Sequence, residues 1–373
     1  MADLVPNEQQ KLRSVFLGKS GLRVSNICLG AMTFGESSWG VPGQCDEESS
    51  HQIIKRYVEW GGNFLDTADV YGRGRSETII GKWLETQPRD NYVIATKVRM
   101  NMGSEGNQNN VGLSRRHITA SIDASLDRLK TNYVDLYQAH AFDDAISLEE
   151  TLRTLDDLVR AGKVRYVGVS NFTGWQLQKL VDTSEKLGLN PIVGLQQQYS
   201  LLCREAEFEP FQVCKMSGIG VLPWSPLKGG LLTGKVKRGV GPTEGRLGWA
   251  AENAKKRNQS AATTLGLTDR AFDIIEAAEA IGKTKGRSVA QIALRWLLQK
   301  DVVSSVIIGA RTLAQLDDNL AASNGWYLTK EEMKQLDDLS KPSIAYPYDF
   351  ISLFNGDRKN RNAINQYVAS LDE

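Results

Sequence analysis

A chain of 373 residues, 41% of them hydrophobic, can bury a large core and suits one α/β barrel with insertions as readily as two smaller domains. Its 45 Lys and Arg against 44 Asp and Glu leave a net charge of +1, which excludes a general field for nucleic acid or an anionic membrane, so any anion site must be local. The start lacks an apolar leader, no apolar run reaches membrane-spanning length, and four cysteines with three histidines form neither a disulfide framework nor a metal spacing, so the chain is expected to be cytoplasmic, without a membrane partner and without a metal.

In chain order, Val15, Phe16 and Leu17, a Gly-Lys-Ser-Gly turn at 18–21, and Leu22, Arg23 and Val24 predict a β-hairpin that plugs one end of a repeating strand and helix pattern. In that pattern, short apolar runs alternate with amphipathic stretches. The predicted strands cover residues 27–29, 64–65, 92–95, 134–137, 164–169, 192–195, 220–222 and 303–308. Between them, apolar residues at three- and four-residue spacing predict helices over 48–60, 76–84, 114–129, 148–160, 175–187 and 207–217, and later over 269–285, 289–299 and 313–321. Eight such units close most naturally into a (β/α)8 TIM barrel. Residues 228–267, rich in Gly, Lys, Arg, Asn and Thr, predict a long loop after the seventh strand. Residues from about 341 onward predict a C-terminal extension over the barrel, so residues 1–373 read as a single domain with a core of about 16–339.

In such a barrel the reactive groups stand at the ends of strands. The second strand ends in Asp66 with Tyr71 five residues on, the third in Lys97, the fourth in His140. An acid, a phenol, an amine and an imidazole at one rim make a proton donor. A tyrosine titrates near ~10, and an ammonium held by an aspartate favours its phenolate and eases proton release. The imidazole can orient a carbonyl oxygen. Taken singly, Asp66 is a turn acid, Lys97 a buried stem and His140 a rim histidine; their conjunction is what points to catalysis.

The stretches around these residues, Gly-Asn-Phe-Leu-Asp-Thr-Ala-Asp-Val-Tyr-Gly-x-Gly-x-Ser-Glu, Ala-Thr-Lys, Tyr-Val-Asp-Leu-Tyr-Gln-x-His, Gly-Lys-Val-Arg-Tyr-Val-Gly-Val-Ser-Asn-Phe, Trp-Ser-Pro-Leu-x-x-Gly-Leu-Leu-Thr-Gly-Lys and Ile-Ile-Gly-Ala-Arg-Thr, resemble those of the aldo-keto reductases from Phe16 to about Leu339. The resemblance implies NADPH-dependent reduction of aldehydes and ketones by a tetrad of Asp66, Tyr71, Lys97 and His140, with Tyr71 as general acid. It implies that Ser170, Asn171 and Gln196 hold the nicotinamide carboxamide and that Trp224 stacks on its ring. Ser225, Leu227, Gly229 and Leu231 would follow the pyrophosphate, and Gly309, Arg311, Gln315 and Asn319 the adenosine half. Arg311 would offer a planar fork to a 2′-phosphate, which favours NADPH over NADH. No G-x-G-x-x-G follows an early strand, which argues against a Rossmann dehydrogenase.

The substrate is less legible. Arg73, Arg75 and Arg99 stand near Tyr71 and Lys97 in sequence and read either as receivers of a substrate carboxylate or phosphate or as solvated loop residues. Trp39, Tyr346, Tyr348 and Phe350 read either as pocket walls or as packing. Similarity to the family suggests a small-molecule carbonyl, acidic or sugar-derived, such as a keto uronic acid from alginate. A cofactor-sensing subunit is the alternative, because potassium channel beta subunits resemble the same family. A metal-dependent hydrolase is disfavoured, since no His and carboxylate cluster stands at the strand ends.

Overall fold

The computed structural model describes residues 11–35, 43–103, 106–243 and 245–355. The first elements are β1 (Ser14–Phe16) and β2 (Arg23–Ser25), an antiparallel hairpin with Val15 opposite Val24. Strands β3 (Ile27–Gly30), β4 (Phe64–Asp66), β5 (Val93–Val98), β6 (Val134–Ala139), β7 (Val164–Ser170), β8 (Ile192–Gln198), β9 (Gly220–Trp224) and β10 (Val306–Ile308) then pair in parallel, in the order β10-β3-β4-β5-β6-β7-β8-β9. An isolated parallel bridge between Val221 and Val303 joins the two ends, with Val221 N donating to Val302 O at 3.0 Å and Ser304 N to Val221 O at 2.9 Å. All eight predicted strands form, and together they make the (β/α)8 barrel. The predicted 303–308 strand is shorter, and its first half makes only the bridge.

The helices are α1 (Glu47–Glu59), α2 (Arg75–Leu84), α3 (Arg115–Leu129), α4 (Leu148–Arg160), α5 (Gly174–Leu187), α6 (Pro210–Ser217), α7 (Gly245–Lys256), α8 (Ala261–Leu265), α9 (Asp269–Lys285), α10 (Val289–Leu298), α11 (Leu313–Leu320), α12 (Lys330–Ser340) and α13 (Tyr348–Phe354). Their ends follow local chemistry. The side chain of Ser114 caps α3 by accepting from His117 N, Ser147 caps α4, and Ser288 and Gln291 close a capping box on α10. In α4, Leu152, Leu155 and Leu158 are buried while Glu149 and Arg153 face solvent, the stripe a barrel helix needs.

The long excursion after β9 is present but partly helical. Helix α7 carries its apolar stripe on Leu247, Ala251 and Ala254, of which the last two are buried. Alanines contribute little hydrophobic contrast, which is why the period is faint in the sequence. Helix α8 is capped by Ser260 and ends at a left-handed Gly266. The sequence also hides α12, fixed by a Thr329 and Glu332 capping box, and the short α13 within the C-terminal extension.

The hairpin seals the end where the strands begin. Leu17 has no exposed surface and packs with Val24, Cys28, Phe64, Leu136, Leu222 and Ile307 inside the barrel. Its neighbour Gly18 sits at φ 56°, and a Cβ there would meet Gly218 O at 2.4 Å, so this contact requires glycine. Leu17→Ala should lower stability by about 2–5 kcal/mol through loss of buried surface and an unfilled cavity. Urea unfolding, read as a lower midpoint at unchanged slope, checks this.

Candidate active site

The opposite end of the barrel is polar. Beyond Asp66, the last residue of β4, the chain is clamped to β5: Thr67 N donates to Ala95 O and Asp69 N to Lys97 O. Ser76 Oγ lies 2.8 Å from Thr67 Oγ1 and donates to Ala31 O at 2.7 Å. The tight turn Tyr71–Gly74 between these clamps holds Gly72, Arg73 and Gly74 at positive φ, and a Cβ on Gly74 would strike Arg128 Cδ at 2.6 Å. This turn folds the Tyr71 side chain back over the barrel, where it is 9% exposed.

Lys97 is wholly buried, and its ammonium reaches Asp66 Oδ2 at 2.7 Å, Thr67 O at 2.7 Å and Tyr71 OH at 3.4 Å. Asp66 Oδ1 accepts from Gln196 Nε2 at 2.8 Å and from Gln138 Nε2 at 3.2 Å. Burial works against the Lys97 ammonium, but Asp66 and Tyr71 outweigh it and hold Lys97 above its ordinary value. For Tyr71 the balance goes the other way. Burial raises it more than Lys97 lowers it, so its proton is held more firmly than the sequence argument predicts.

His140 begins the loop after β6, anchored by its N–H to Val98 O and by Asn171 Nδ2 donating to its carbonyl at 2.9 Å. Its ring meets Tyr71 edge-on with centroids 5.8 Å apart. Burial first, then Lys97 and Arg99, push its pKa down to about 3, so it is a neutral imidazole. Its buried Nδ1 has no hydrogen-bond partner. The four residues singled out at three strand ends therefore converge on one point of the rim.

The expected cofactor residues divide. Ser225, Leu227, Gly229, Gly309, Arg311, Gln315 and Asn319 line a cavity of about 660 Å³ between the excursion after β9 and the start of α11. Trp224 Nε1 donates to Asn171 Oδ1 at 3.1 Å, which links the ends of β7 and β9, and Asn171 and Ser225 both adopt positive φ. Ser170 is buried beside Asn171, whose Nδ2 donates to its Oγ at 3.0 Å. Gln196 turns its amide onto Asp66, and Leu231 is packed in the core. The lining suits an anionic group: glycines allow close backbone approach, and Arg311 is joined by Arg246 from α7. Burial and then the Arg311 charge depress Arg246, leaving a half-buried guanidinium beside the exposed Arg311, a pair suited to an anion.

The expected substrate residues separate further. Arg99 is half-buried beside His140, whereas Arg73 is exposed near Gly103 and Arg75 opens α2 packed against Gly35. Trp39 lies outside the described residues. Tyr348 stacks on Phe208 at 5.0 Å and donates to Glu209 Oε1 at 2.7 Å, while Phe350 meets only Tyr346 and Phe354 among the aromatic rings described. Sequence reasoning passed over Gln138, Arg246 and Asp69. Gln138 lies between Leu-Tyr and Ala-His on the strand that delivers His140, two residues before it, and so shares its strand face; that parity was the available signal. Among the described residues no cluster suits a metal ion and no helix is long and apolar enough to cross a membrane.

The Aldo/keto reductase family pattern matches residues 26–341, and the chain belongs to this family. It is 35% identical over 358 residues to the aldo-keto reductase dtxS3 of Metarhizium robertsii, covering 90% of this chain and 92% of that one. It is 33% identical to the versiconal hemiacetal acetate reductase of Aspergillus parasiticus, with 89% and 98% covered. A putative voltage-gated potassium channel subunit beta of Schizosaccharomyces pombe is 35% identical, with 87% and 92% covered. The protein is thus an oxidoreductase of a family that acts on small carbonyl compounds and typically uses NADP(H).

Asp69 provides a pH test of this rim. It is buried, neither carboxylate oxygen has a well-formed hydrogen bond, and burial followed by Glu77 raises its pKa to about 8. The folded state therefore holds a proton that the unfolded chain, titrating near ~4, releases; the stability this confers is complete below about pH 4 and lost as pH rises through about 8. Urea midpoints of D69N minus wild type should grow from pH 5 to about pH 8 and level off above it. A difference independent of pH would show Asp69 to be ionised in the fold.

Proposed function

We propose that the chain reduces aldehydes and ketones to alcohols with NADPH, Tyr71 delivering the proton. The observation that carries this reading is the buried Asp66, Lys97 and Tyr71 chain with a neutral His140 edge-on to the phenol. The cofactor, when bound, supplies hydride to the carbonyl carbon. Tyr71 donates its proton to the carbonyl oxygen, and the Lys97 ammonium stabilises the phenolate left behind. Because His140 is uncharged, it serves to orient the carbonyl oxygen by hydrogen bonding and does not compete as the acid. Asp66, fixed by Gln138 and Gln196, keeps Lys97 aimed at the phenol.

Ser170, Asn171 and the Oε1 of Gln196, whose Nε2 is given to Asp66, would hold the carboxamide and Trp224 the nicotinamide face, with Ser225, Leu227, Gly229 and the backbone of the buried Leu231 along the pyrophosphate. Gly309, Arg311, Gln315 and Asn319 would receive the adenosine half, and the Arg311 and Arg246 pair supports NADPH over NADH. An acidic or sugar-derived carbonyl such as a keto uronic acid suits Arg99, the one of the three expected arginines whose charge reaches His140. Four unpaired cysteines accord with a cytoplasmic location. A cofactor-sensing subunit is the second reading, favoured by likeness to the Schizosaccharomyces pombe protein; stable co-purification with a membrane channel would support it.

Tyr71→Phe should cut turnover of a panel of aldehydes, α-dicarbonyls and keto uronic acids by about a hundredfold or more, while NADPH still quenches tryptophan fluorescence. Equal loss of turnover and binding would assign Tyr71 a structural role. Arg311→Ala should narrow the NADPH over NADH preference in kcat/KM by about tenfold, and an unchanged ratio would refute the 2′-phosphate contact.

A further inference from the structure

The loop after β5 brings a second cation to the rim. Arg99 follows Lys97 by two residues and holds its backbone at φ 149°, a conformation that residues with side chains rarely adopt. Two hydrogen bonds pin it there: Gly112 N donates to Arg99 O at 2.8 Å, and Arg99 Nε donates to Phe142 O at 3.0 Å, two residues past His140. Its charge reaches the His140 ring, where it adds to burial and Lys97 in disfavouring the imidazolium.

This charge differs from that of Lys97 in having no described counterion. Lys97 is matched by Asp66 at 2.7 Å. Asp143, the residue after Phe142 in the loop that Arg99 touches, is committed to backbone: Oδ2 accepts from Leu113 N at 2.7 Å and Oδ1 from Ala145 N at 3.2 Å. Among the described residues, the Arg99 guanidinium bonds only to the Phe142 carbonyl, which engages Nε and leaves the two terminal nitrogens of its fork. The segments that flank it carry apolar side chains. Met100 and Met102 pack against the patch of Ala68, Val70 and Tyr71, and Phe142 meets Phe172 and Trp175 edge-on at 5.5 and 5.8 Å. A guanidinium that is half-buried, pinned beside His140 to the loop that carries it, and without a counterion among the described residues differs from an exposed surface arginine such as Arg73.

We propose that Arg99 is the specificity-determining residue of this reductase and selects carbonyl substrates that carry a carboxylate. The inference rests on the carbonyl-reducing reading above and names its substrate class. A planar fork matches a carboxylate through two parallel hydrogen bonds. One uncompensated positive charge also matches one carboxylate, whereas a phosphate dianion would leave excess negative charge in a half-buried site. The aromatic and methionine walls would take the substrate's carbon frame.

The test compares acids with their own methyl esters. With NADPH, wild-type kcat/KM should favour 4-carboxybenzaldehyde over methyl 4-formylbenzoate, and 4-oxobutanoate over methyl 4-oxobutanoate, by about tenfold or more in at least one pair, mainly through KM. R99Q should bring the acid-to-ester ratio of that pair to about one, and R99K should retain part of the preference. Equal wild-type rates for acid and ester in both pairs would overturn the inference while leaving the reductase reading intact, and this comparison needs no variant to fold. A fall in both acid and ester rates for R99Q at an unchanged ratio, with NADPH quenching preserved, would also overturn it by giving Arg99 a positioning role. Absence of turnover with all four compounds would overturn the reductase reading and this inference together.

Discussion

The ion pair of Lys97 with Asp66 is the constraint around which the polar end of this barrel is organised. Both side chains are removed from water, and burying two charges costs several kcal/mol per ion unless each polar atom finds a partner. Here the partners come from four strands. The ammonium reaches Asp66, Thr67 O and Tyr71, and the carboxylate receives Gln196 and Gln138. That network exists only in one register: Asp66 lies opposite Ala95 and Lys97 opposite Gln138, so a slip of one residue would turn an ionic side chain into the apolar layer under the helices. The same bonds that make the pair tolerable hold the ammonium toward the phenol. On the proposed chemistry, stability and catalysis therefore depend on a single set of contacts.

Around this pair, burial sorts the remaining ionisable groups by charge. His140 is driven neutral at about 3 and Asp69 is driven toward its neutral acid at about 8. Each shift removes a charge that would act on Tyr71: an imidazolium would favour the phenolate, and an Asp69 carboxylate would oppose it. What remains charged beside the phenol is Lys97 with its partner Asp66, while Arg99 acts on the neighbouring His140. Tyr71 itself is raised by burial against the pull of Lys97, so at neutral pH it stands as a phenol with a proton to give. That is the state a reductive general acid requires, and it arises from desolvation more than from the ammonium that sequence reasoning emphasised.

The fold was legible because its signals are local and repeated: apolar runs of strand length alternate with amphipathic stretches, and Asp66, Lys97 and His140 each fall at the end of such a run. What escaped notice depends on three-dimensional neighbours. Helix α7 buries alanines, which leave almost no hydrophobic contrast, and its Arg246 gains meaning only from lying beside Arg311. Gln138 looks like one polar residue in a buried strand until Asp66 is seen to accept from it. Arg73, Arg75 and Arg99 are equivalent by composition, but only Arg99 has a guanidinium pinned to the loop that carries His140. Propensity and periodicity report the backbone; which of three arginines faces a reaction is decided by tertiary contacts.

The two ends of the barrel can be understood as a division of labour set by solvent. At the hairpin end, Leu17 and Gly18 close the cylinder with apolar contact and a backbone approach that admits no side chain, so nothing there needs to move. At the other end, the excursion after β9 forms a wall of the 660 Å³ cavity through α7, whose first residue lies against Arg311. Arg246, half-buried on α7, and Arg311, exposed at the rim, repel one another, and the repulsion adds to burial in depressing Arg246. An anion between them would replace repulsion with two attractions, so the packing of α7 and the affinity for a phosphate are linked quantities. On the NADPH reading, the cofactor would therefore strengthen the wall that encloses it, and the same like-charge pair would discriminate against a dinucleotide that lacks the extra phosphate.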